Sequence, residues 1–425
     1  MGWNSWNSGI PLSEMNIITV IDAMVSSGMR DAGYRYVNLD AGWAAPQRDT
    51  AGDLVADPAK FPHGIRLLAD YAHGRGMSLG LYSSPYNQTC GQAPATASVG
   101  REVQDARTFA DWGVDYLKYD WCGSDADLGE QVRVFTAMRD ALRASGRDIV
   151  YSINPNSNGL AESTAGRYDW SEIADVVRTA GDLIPLWDNT LQPQVLPGGI
   201  STRGFIGVLD ELTATDRVTP SRPGYYNDPD MLVVGLQLPQ YVTGLLSTAP
   251  EAALRDTGLS PEQRAQITDR IRLPPYLIQQ LGAPETNLTP DEQRAHFSLW
   301  AMLAAPLLAG NDVRTMSAET AAILTSREVI AIDQDPAVAQ GRFLPGNDRV
   351  MVKHLSDGSV AVALFNPSNA PEAITTSAAE IGLDHADHYT IRNAWTHTTA
   401  VTEATISDLA VPAHGVTLLT VHHSR

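Results

Sequence analysis

The fold of this chain is constrained most by a regular alternation of helical and extended stretches that runs from its first residues to about residue 340. Apolar residues that recur every three or four positions indicate helices, and short runs rich in Val, Ile, Leu and Tyr indicate strands. Strands separated by long helices form parallel sheets, and eight such units close a barrel. The alternation therefore predicts an α/β fold, a (β/α)8 TIM barrel. The predicted helices are 17–33, 61–73, 101–112, 128–145 and 297–308, and the predicted strands are 36–40, 77–82, 116–120, 149–153, 176–179, 204–208 and 231–236.

The composition of the sequence changes after residue 336. Short apolar runs separated by Gly, Pro, Asn and Asp are typical of an antiparallel β-sandwich. Here they follow at 350–352, 360–365, 388–391 and 416–421. We therefore predict a barrel domain over 1–342 and a C-terminal antiparallel β-sandwich domain over 343–425. A polar, proline-containing stretch at about 237–291 is predicted to be an insertion over the barrel mouth.

Charge and hydropathy limit the partners of the chain. Its net charge is −19 at pH 7, which opposes binding to nucleic acid or to an anionic membrane surface and favours a neutral substrate. With 43% hydrophobic and 19% charged residues, it has the composition of an ordinary globular protein. No run approaches eighteen apolar residues, so we predict no membrane-spanning helix.

The two cysteines, Cys90 and Cys122, each follow a predicted strand by a few residues. Loops at the same end of a sheet can bring such residues together, so they are either a disulfide at the rim of a site or a free pair in a reducing compartment. A disulfide would favour a secreted or extracytoplasmic protein. The sequence opens at Met1 without a charged and apolar leader, so no export signal is predicted within it.

Carboxylates follow several of the predicted strands. Lys118 and Asp120 are two residues apart at the end of one strand and share a face, either towards a barrel mouth or as an ion pair on an edge strand. Asp182 follows a strand that carries Arg178. Hydrolysis of a glycosidic bond with retention needs two carboxyl groups about 5 to 5.5 Å apart. Asp120 and Asp182 are the candidate pair, and Asp40 and Asp230 lie at further strand ends.

Motifs spread over nearly the whole chain resemble glycoside hydrolase family 27, the α-galactosidase family. In order along the chain they are MGWNSW (1–6), YVNLDAGW (36–43), APQRD (45–49), FPHGI (61–65), LGLY (79–82), FADWGVDYLKYD (109–120), NDPDML (227–232) and AAPLL (304–308). The resemblance implies a (β/α)8 barrel followed by an antiparallel β domain. It also implies that Asp120 is the nucleophile, that Asp182 is the acid/base, and that Cys90 and Cys122 form a disulfide. The pocket residues that it implies are Trp6, Asp40, Tyr82, Lys118, Arg178 and Asp230.

Two departures from the family pattern leave the sugar open. Ala41 follows Asp40 where the family usually has two adjacent aspartates, and Asn154 stands where many relatives have a glutamate near the 2-hydroxyl, which makes it a further candidate for binding the sugar. Each charged hydrogen bond lost this way is worth about 1.5 to 3 kcal/mol. The family includes β-L-arabinopyranosidases and isomaltodextranases, so another sugar on the same fold remains an alternative to galactose.

The predicted function is that of a retaining α-glycosidase acting by double displacement on an oligosaccharide or glycoside, with no metal ion and no organic cofactor. The Lys118 cation is expected to keep Asp120 ionised, and Asp182 is expected to start protonated. Two other classes of function stay open. Lys118 could form a Schiff base in an aldolase of the same fold, and the chain could bind sugar without catalysis.

Overall fold

The computed structural model describes residues 1–90, 95–122, 127–155, 168–179, 181–188, 205–214, 219–238, 241 and 287–424. Most of the predicted insertion at 237–291 lies outside these residues. The chain divides into two compact units. The first lies within Met1–Thr219, Asp228–Asn287 and Leu308–Met316, and the second within Pro220–Asn227, Leu288–Leu307 and Ser317–Arg425.

A curled parallel sheet carries the barrel. In chain order, the strands of this region are β1 (Gly2–Asn4), β2 (Tyr36–Asn38), β3 (Ser78–Ser83), β4 (Tyr116–Asp120), β5 (Val150–Asn154), β6 (Val176–Arg178), β7 (Asp182–Leu183), β8 (Phe205–Ile206), β9 (Tyr226–Asp228) and β10 (Leu308–Ala309). Among the described residues, eight of them form one sheet in the order β10-β1-β2-β3-β4-β5-β6-β9. The backbone N–H of Leu232 donates to the carbonyl oxygen of Leu308 at 2.8 Å, which brings the segment after β9 beside β10. The predicted (β/α)8 barrel is confirmed.

Helices follow or precede most of these strands. They are α1 (Glu14–Ser26), α2 (Met29–Ala32), α3 (Gly64–Gly74), α4 (Glu102–Trp112), α5 (Leu128–Ala144), α6 (Val208–Ala214), α7 (Pro290–Leu303), α8 (Ala318–Leu324) and α9 (Arg327–Asp333). The start of α7 shows why they begin where they do. The Thr289 side chain accepts a hydrogen bond from the backbone N–H of Glu292, and the Glu292 side chain accepts one from the backbone N–H of Thr289. Pro290 occupies the first turn.

Four of the predicted elements were wrong in detail. The helix predicted at 17–33 is divided at Gly28, whose φ of 84° ends the helical geometry between α1 and α2. Within the segment 204–208, Phe205 and Ile206 form β8, which pairs with β7 in a separate two-stranded sheet, and Val208 already begins α6. The barrel strand β9 precedes Pro229, whereas residues 231–236, predicted as a strand, do not form a regular strand. The helix predicted at 297–308 ends at Leu303, and Leu308, the last residue of the predicted helix, begins β10.

The C-terminal region is an antiparallel β-sandwich, as predicted. Its strands are β11 (Arg342–Leu344), β12 (Asn347–His354), β13 (Val360–Phe365), β14 (Glu372–Ser377), β15 (Tyr389–Asn393), β16 (Thr399–Thr402), β17 (Thr405–Val411) and β18 (Val416–His423). One sheet has the order β11-β12-β13-β18-β15-β16, and β14 pairs with β17. Side chains of both sheets share one apolar core that includes Val350, Val362, Leu364, Ile374, Ile406 and Val421. The predicted domain division at residue 342 stays a prediction.

In the described ranges, no helix combines the length and the apolar character that a transmembrane span requires.

Candidate active site

A cavity of about 510 Å³ opens at the carboxyl ends of the barrel strands, where barrels of this class place their chemistry. Strand β3 supplies Tyr82, β4 supplies Lys118 and Asp120, and β6 supplies Arg178. Asp182 is the first residue of β7. Among the described residues, the lining consists of Trp6, Asn7, Asp40, Tyr82, Tyr86, Asn87, Gln88, Thr89, Cys90, Lys118, Asp120, Cys122, Arg178, Asp182, Asp230 and Met231.

Asp120 lies on the floor of this cavity with only 7% of its surface exposed. Its Oδ2 accepts a hydrogen bond of 2.6 Å from the Tyr82 hydroxyl. Burial raises the pKa of Tyr82 well above its usual value, so the phenol stays protonated and able to donate. Within the part of the chain that the structure describes, Oδ1 of Asp120 has no hydrogen-bond partner. One carboxylate oxygen is therefore held in place, and the other is buried without a hydrogen-bond partner among the described residues.

The charge of Asp120 depends on opposing influences. Burial raises its pKa to about 6, against the lowering effects of the Lys118 cation and the Tyr82 hydrogen bond. The nearby carboxylates of Asp182 and Asp40 raise the pKa further. Asp120 is therefore ionised at neutral pH and becomes protonated in mild acid.

Lys118 forms an ion pair with Asp40 inside the cavity. Its Nζ lies 2.8 Å from Oδ2 of Asp40 and 5.1 Å from the ring centroid of Tyr82. Burial acts to lower the pKa of Lys118, but the carboxylates of Asp40 and Asp120 outweigh burial and raise it above the usual value. A lysine that forms a Schiff base must be neutral to attack a carbonyl. The geometry therefore disfavours the aldolase alternative.

Asp40 is fixed from several directions. Its Oδ2 accepts from the Asn4 side chain at 3.1 Å as well as from Lys118, and its Oδ1 accepts from the backbone N–H of Ala41 at 2.8 Å. The Ser5 hydroxyl accepts from the backbone N–H of Asp40 at 2.9 Å. These contacts give Asp40 and Lys118 one fixed orientation, which suits them to bind hydroxyl groups of a sugar.

Arg178 joins two other carboxylates of the cavity. It lies 3.1 Å from Oδ1 of Asp182 and 3.1 Å from Oδ1 of Asp230. The Arg178 and Asp230 side chains are each 4% exposed, whereas the Asp182 side chain is 39% exposed. Burial acts to lower the pKa of Arg178, but the carboxylates around it, Asp230 first, raise it above the usual value. A permanent cation thus orients a carboxylate that solvent can reach.

Asp230 has a left-handed backbone conformation, with a φ of 76°, that few residues other than glycine adopt. The conformation is held by hydrogen bonds that its carboxylate accepts from the backbone N–H groups of Leu183 and Met231, at 2.8 and 2.7 Å. The carboxylate therefore fastens β7, which begins with Asp182, to the segment after β9. Strain of this kind is commonly found where a site is held rigid.

A disulfide between Cys90 and Cys122 closes one wall of the cavity, so the open choice between a bridge and free thiols is settled in favour of the bridge. It links the loop after β3 to the end of β4, two residues beyond Asp120. On the same wall, the ring of Tyr86 lies 5.2 Å from that of Trp121 at 62°.

Not every residue considered for the site lies in the lining of the cavity. Trp6 lines the cavity, but Trp3 is fully buried and donates from Nε1 to the Asn311 carbonyl oxygen. Asn154 is buried at the end of β5 and is not among the residues that line the cavity. Sequence reasoning missed Asn7, Tyr86, Asn87, Gln88, Thr89 and Met231.

Comparison with known families agrees with this architecture. A model for alpha galactosidase A matches residues 7–243 and 279–335, and a model for the alpha galactosidase C-terminal beta sandwich domain matches residues 346–421. Together the two matches cover most of the chain, including both regions described above.

Individual proteins match along nearly the full length. Alpha-galactosidase A of Cellvibrio japonicus is 33% identical over 440 residues, covering 99% of this chain and 90% of that protein. Alpha-galactosidase 3 of Arabidopsis thaliana is 36% identical over 439 residues, covering 100% of this chain and 83% of that protein. The crystal structure of alpha-galactosidase I from Mortierella vinacea has a TM-score of 0.77 and 28% identity, covering 100% of this chain and 96% of that one. The chain therefore belongs to the α-galactosidase family of glycoside hydrolases, family 27.

Proposed function

We propose that the chain hydrolyses terminal α-linked galactose from its substrates with retention of configuration. The observation that carries the proposal is the difference between two carboxylates of one cavity. Asp120 is buried with Oδ1 unpartnered among the described residues, and Asp182 is partly exposed and paired with Arg178. A double displacement needs such a division between a nucleophile and an acid/base.

In the first step, Asp120 attacks the anomeric carbon and forms a covalent glycosyl-enzyme ester. Asp182 gives its proton to the glycosidic oxygen, so the bond between that oxygen and the anomeric carbon breaks and the leaving group departs as an alcohol. The hydrogen bond from the Tyr82 hydroxyl to Oδ2 fixes the orientation of the Asp120 carboxylate for this attack.

In the second step, the Asp182 carboxylate accepts a proton from a water molecule. The resulting hydroxide adds to the anomeric carbon and the ester bond to Asp120 breaks. Two inversions at the same carbon return the original configuration. The exposure of Asp182 supports this assignment because water must reach it once the leaving group has gone.

Charged groups around the floor are placed to bind the hydroxyls of the sugar. Lys118 with Asp40 and Arg178 with Asp230 each offer donors and acceptors that are already oriented by ion pairs. Trp6 offers an aromatic surface to the ring. We assign these residues to substrate binding, and Asn154, buried at the end of β5, stays a candidate for binding the sugar.

Galactose is the first choice of sugar because the relatives with matching sequences are named as α-galactosidases. A second candidate is a β-L-arabinopyranoside, which has the same ring stereochemistry without the C6 hydroxymethyl group. It is favoured by Ala41, because a methyl group next to Asp40 provides no acceptor for a further hydroxyl.

The test is hydrolysis of p-nitrophenyl α-galactoside, α-glucoside and β-L-arabinopyranoside and of isomalto-oligosaccharides, followed by proton NMR of the sugar released first. We expect the α-galactoside to be the best substrate and α-galactose to be the first product. Release of β-galactose would contradict the retaining mechanism. A preference for the arabinopyranoside would favour the second candidate, and binding without turnover would favour a sugar-binding protein.

We also propose that the protein works in a secreted or extracytoplasmic location. The supporting observation is the disulfide between Cys90 and Cys122, since such bonds persist in oxidising compartments. Fractionation of the native host with an antibody to this chain tests the proposal, and confinement to the reducing cytoplasm would contradict it.

A further inference from the structure

We infer that Asp228 is a positioning residue for the acid/base of the reaction: its carboxylate holds the turn that carries Asp230, and Asp230 orients the Asp182 carboxylate. Asp228 is 4% exposed and is not among the described residues that line the cavity, so it acts through other residues and not on the sugar. The inference rests on the proposed function and adds to it the means by which the acid/base is held.

The first step is the turn itself. Asp228, Pro229 and Asp230 form an Asx turn at the end of β9, in which the backbone N–H of Asp230 donates to Oδ1 of Asp228 at 2.9 Å. Proline restricts the residue before it to extended conformations. Asp230 then follows with a φ of 76°, where a residue that has a Cβ is strained. The Asp228 side chain therefore supplies one of the contacts that hold Asp230 in this conformation.

The second step is that the backbone of Asp228 is tied to the end of β6. Its carbonyl oxygen accepts from the backbone N–H of Thr179 at 2.9 Å and from the Thr179 hydroxyl at 3.2 Å. Thr179 directly follows Arg178, and all three residues are less than one-tenth exposed. The turn is thus fixed, out of contact with bulk water, to the strand that carries the Arg178 guanidinium.

The third step is the path from Asp230 to the acid/base. Oδ1 of Asp230 lies 3.1 Å from Arg178, whose guanidinium lies 3.1 Å from Oδ1 of Asp182. Oδ2 of Asp230 accepts from the backbone N–H of Leu183, the residue after Asp182, at 2.8 Å. A shift of the Asp230 backbone would change both contacts at once. The Asp182 side chain is 39% exposed, so solvent surrounds part of it and its orientation depends on these contacts.

The turn requires an acceptor at Oδ1 of Asp228, and it does not require a charge. Burial raises the pKa of Asp228 to about 6, while the Arg178 cation acts to lower it, the Asp230 carboxylate raises it, and the Lys118 cation lowers it. A carboxyl oxygen can accept the hydrogen bond from the backbone N–H of Asp230 in either protonation state. Asparagine has the same shape and the same acceptor without the charge, so Asp228→Asn separates the two properties.

The experiment compares two substrates that differ only in the leaving group. Melibiose releases glucose, whose oxygen needs the proton of Asp182, whereas α-galactosyl fluoride releases fluoride, which needs none. For Asp228→Ala in the full chain, the ratio of kcat/KM for melibiose to that for α-galactosyl fluoride should fall about tenfold, because a misplaced acid slows only melibiose. Asp228→Asn keeps the acceptor, so its ratio should stay within about twofold of the wild type.

The ratio separates positioning from folding. Both rate constants are measured on one preparation, so the ratio does not depend on the fraction of molecules that are folded. Asp228→Ser keeps a weaker acceptor and should give an intermediate ratio, which provides the measurement if Asp228→Ala does not fold. In Asp182→Ala, which has no acid to misplace, the further change Asp228→Ala should leave the ratio unchanged.

A matched control is offered by a second Asp-Pro turn. Asp57, Pro58 and Ala59 lie outside the described lining of the cavity, and Oδ1 of Asp57 accepts from the backbone N–H of Ala59 at 3.0 Å. Asp57→Ala removes the same kind of contact and should keep the wild-type ratio.

Three results would overturn the inference. They are an unchanged ratio in Asp228→Ala, a fall of the same size when Asp228→Ala is added to Asp182→Ala, and a fall in Asp228→Asn as large as in Asp228→Ala, which would assign the effect to charge and not to the turn. A wild-type protein that leaves both substrates intact would instead overturn the proposed function. That outcome is separate, because the ratios are defined only for an active wild type.

Discussion

At the scale of single residues, the charge of Asp120 decides whether the site can react. Sequence reasoning expected the Lys118 cation to keep this carboxylate ionised. In the structure, Nζ of Lys118 is 2.8 Å from Asp40, and burial of Asp120 has the larger effect on its pKa. Proximity in sequence could not reveal this, because the partner of Lys118 comes from a different strand. The consequence is that burial raises the pKa of Asp120, the proposed nucleophile, to about 6.

The pH dependence follows from that value. Attack requires ionised Asp120, so kcat/KM for α-galactosyl fluoride should fall about tenfold per pH unit below roughly pH 6. The Tyr82 hydrogen bond lowers the pKa of Asp120, so Tyr82→Phe should move this acid limb to higher pH. The Asp40 carboxylate raises it, so Asp40→Asn should move the limb to lower pH. Shifts in the same direction for both variants would contradict the electrostatic account.

Replacing Asp120 tests its role directly. Asp120→Asn should lower kcat by about 10⁴-fold or more, since removal of a nucleophile abolishes the covalent pathway. Asp111→Asn removes an exposed carboxylate of α4 and should leave kcat unchanged. In Asp120→Gly, added azide should restore turnover and give the β-galactosyl azide, because azide attacks from the face that the carboxylate vacates. Formation of the α-azide would exclude Asp120 as the nucleophile.

Replacing Asp182 should give a loss that depends on the leaving group. Asp182→Ala cannot protonate the glycosidic oxygen, so hydrolysis of melibiose should fall by about 10²- to 10⁴-fold. Fluoride departs without a proton, so glycosylation by α-galactosyl fluoride should be much less affected, and pre-steady-state kinetics should show a burst of fluoride. Equal losses for both substrates would argue that Asp182 acts by some other means.

Residues at predicted strand ends and in the family motifs were the part of the site that the sequence could predict. Tyr82, Lys118 and Asp120 belong to recognisable strand ends, so their side chains point to the mouth of any barrel built from them. Tyr86 and Met231 lie on loops, where no periodic pattern fixes the direction of a side chain. Asn154 shows the converse case, because the end of a strand does not by itself place a side chain in the cavity.

At the scale of elements, the barrel strands that the sequence did not predict correctly were short. Strands β3, β4 and β5, with five or six residues each, were found, as were the three-residue strands β2 and β6, whereas β1, β9 and β10, with two or three, were missed or displaced. A pattern that alternates every second residue needs several residues to appear. The apolar run around β10 continues directly from α7, so helical and extended states could not be separated there.

The disulfide is the element-scale feature whose removal is most easily measured. The double variant Cys90→Ser with Cys122→Ser should lower the free energy of unfolding by about 2–4 kcal/mol, since the bond closes a loop of 32 residues. It should also lower kcat/KM for melibiose, because the loop that carries Tyr86 loses its anchor to β4. Urea unfolding and steady-state kinetics check both effects. An unchanged unfolding midpoint would mean that the loop is held by its other contacts.

At the scale of the whole molecule, the compact units do not follow the order of the chain. Helix α7 precedes the C-terminal strands by about forty residues, yet it belongs to the same unit as the β-sandwich. Within that unit, Nζ of Lys353 donates to the Ala301 carbonyl oxygen at 2.9 Å, and Nε1 of Trp395 donates to the Ser298 hydroxyl at 2.9 Å. Sequence composition marks where strands replace helices, but it does not show which helix the new strands pack on.

This arrangement predicts that the chain cannot be cut at the predicted domain division. A chain of residues 1–342 keeps α7 but removes Lys353 and Trp395, so a buried carbonyl and a buried hydroxyl group of α7 each lose one hydrogen-bond partner and its apolar side chains become exposed. We expect such a chain to lose cooperative thermal unfolding and to aggregate. The full chain with Lys353→Met, which removes one contact and keeps the packing, should still fold with a lower Tm. A monomeric, cooperatively folded and active 1–342 fragment would show that α7 needs nothing from the β-sandwich.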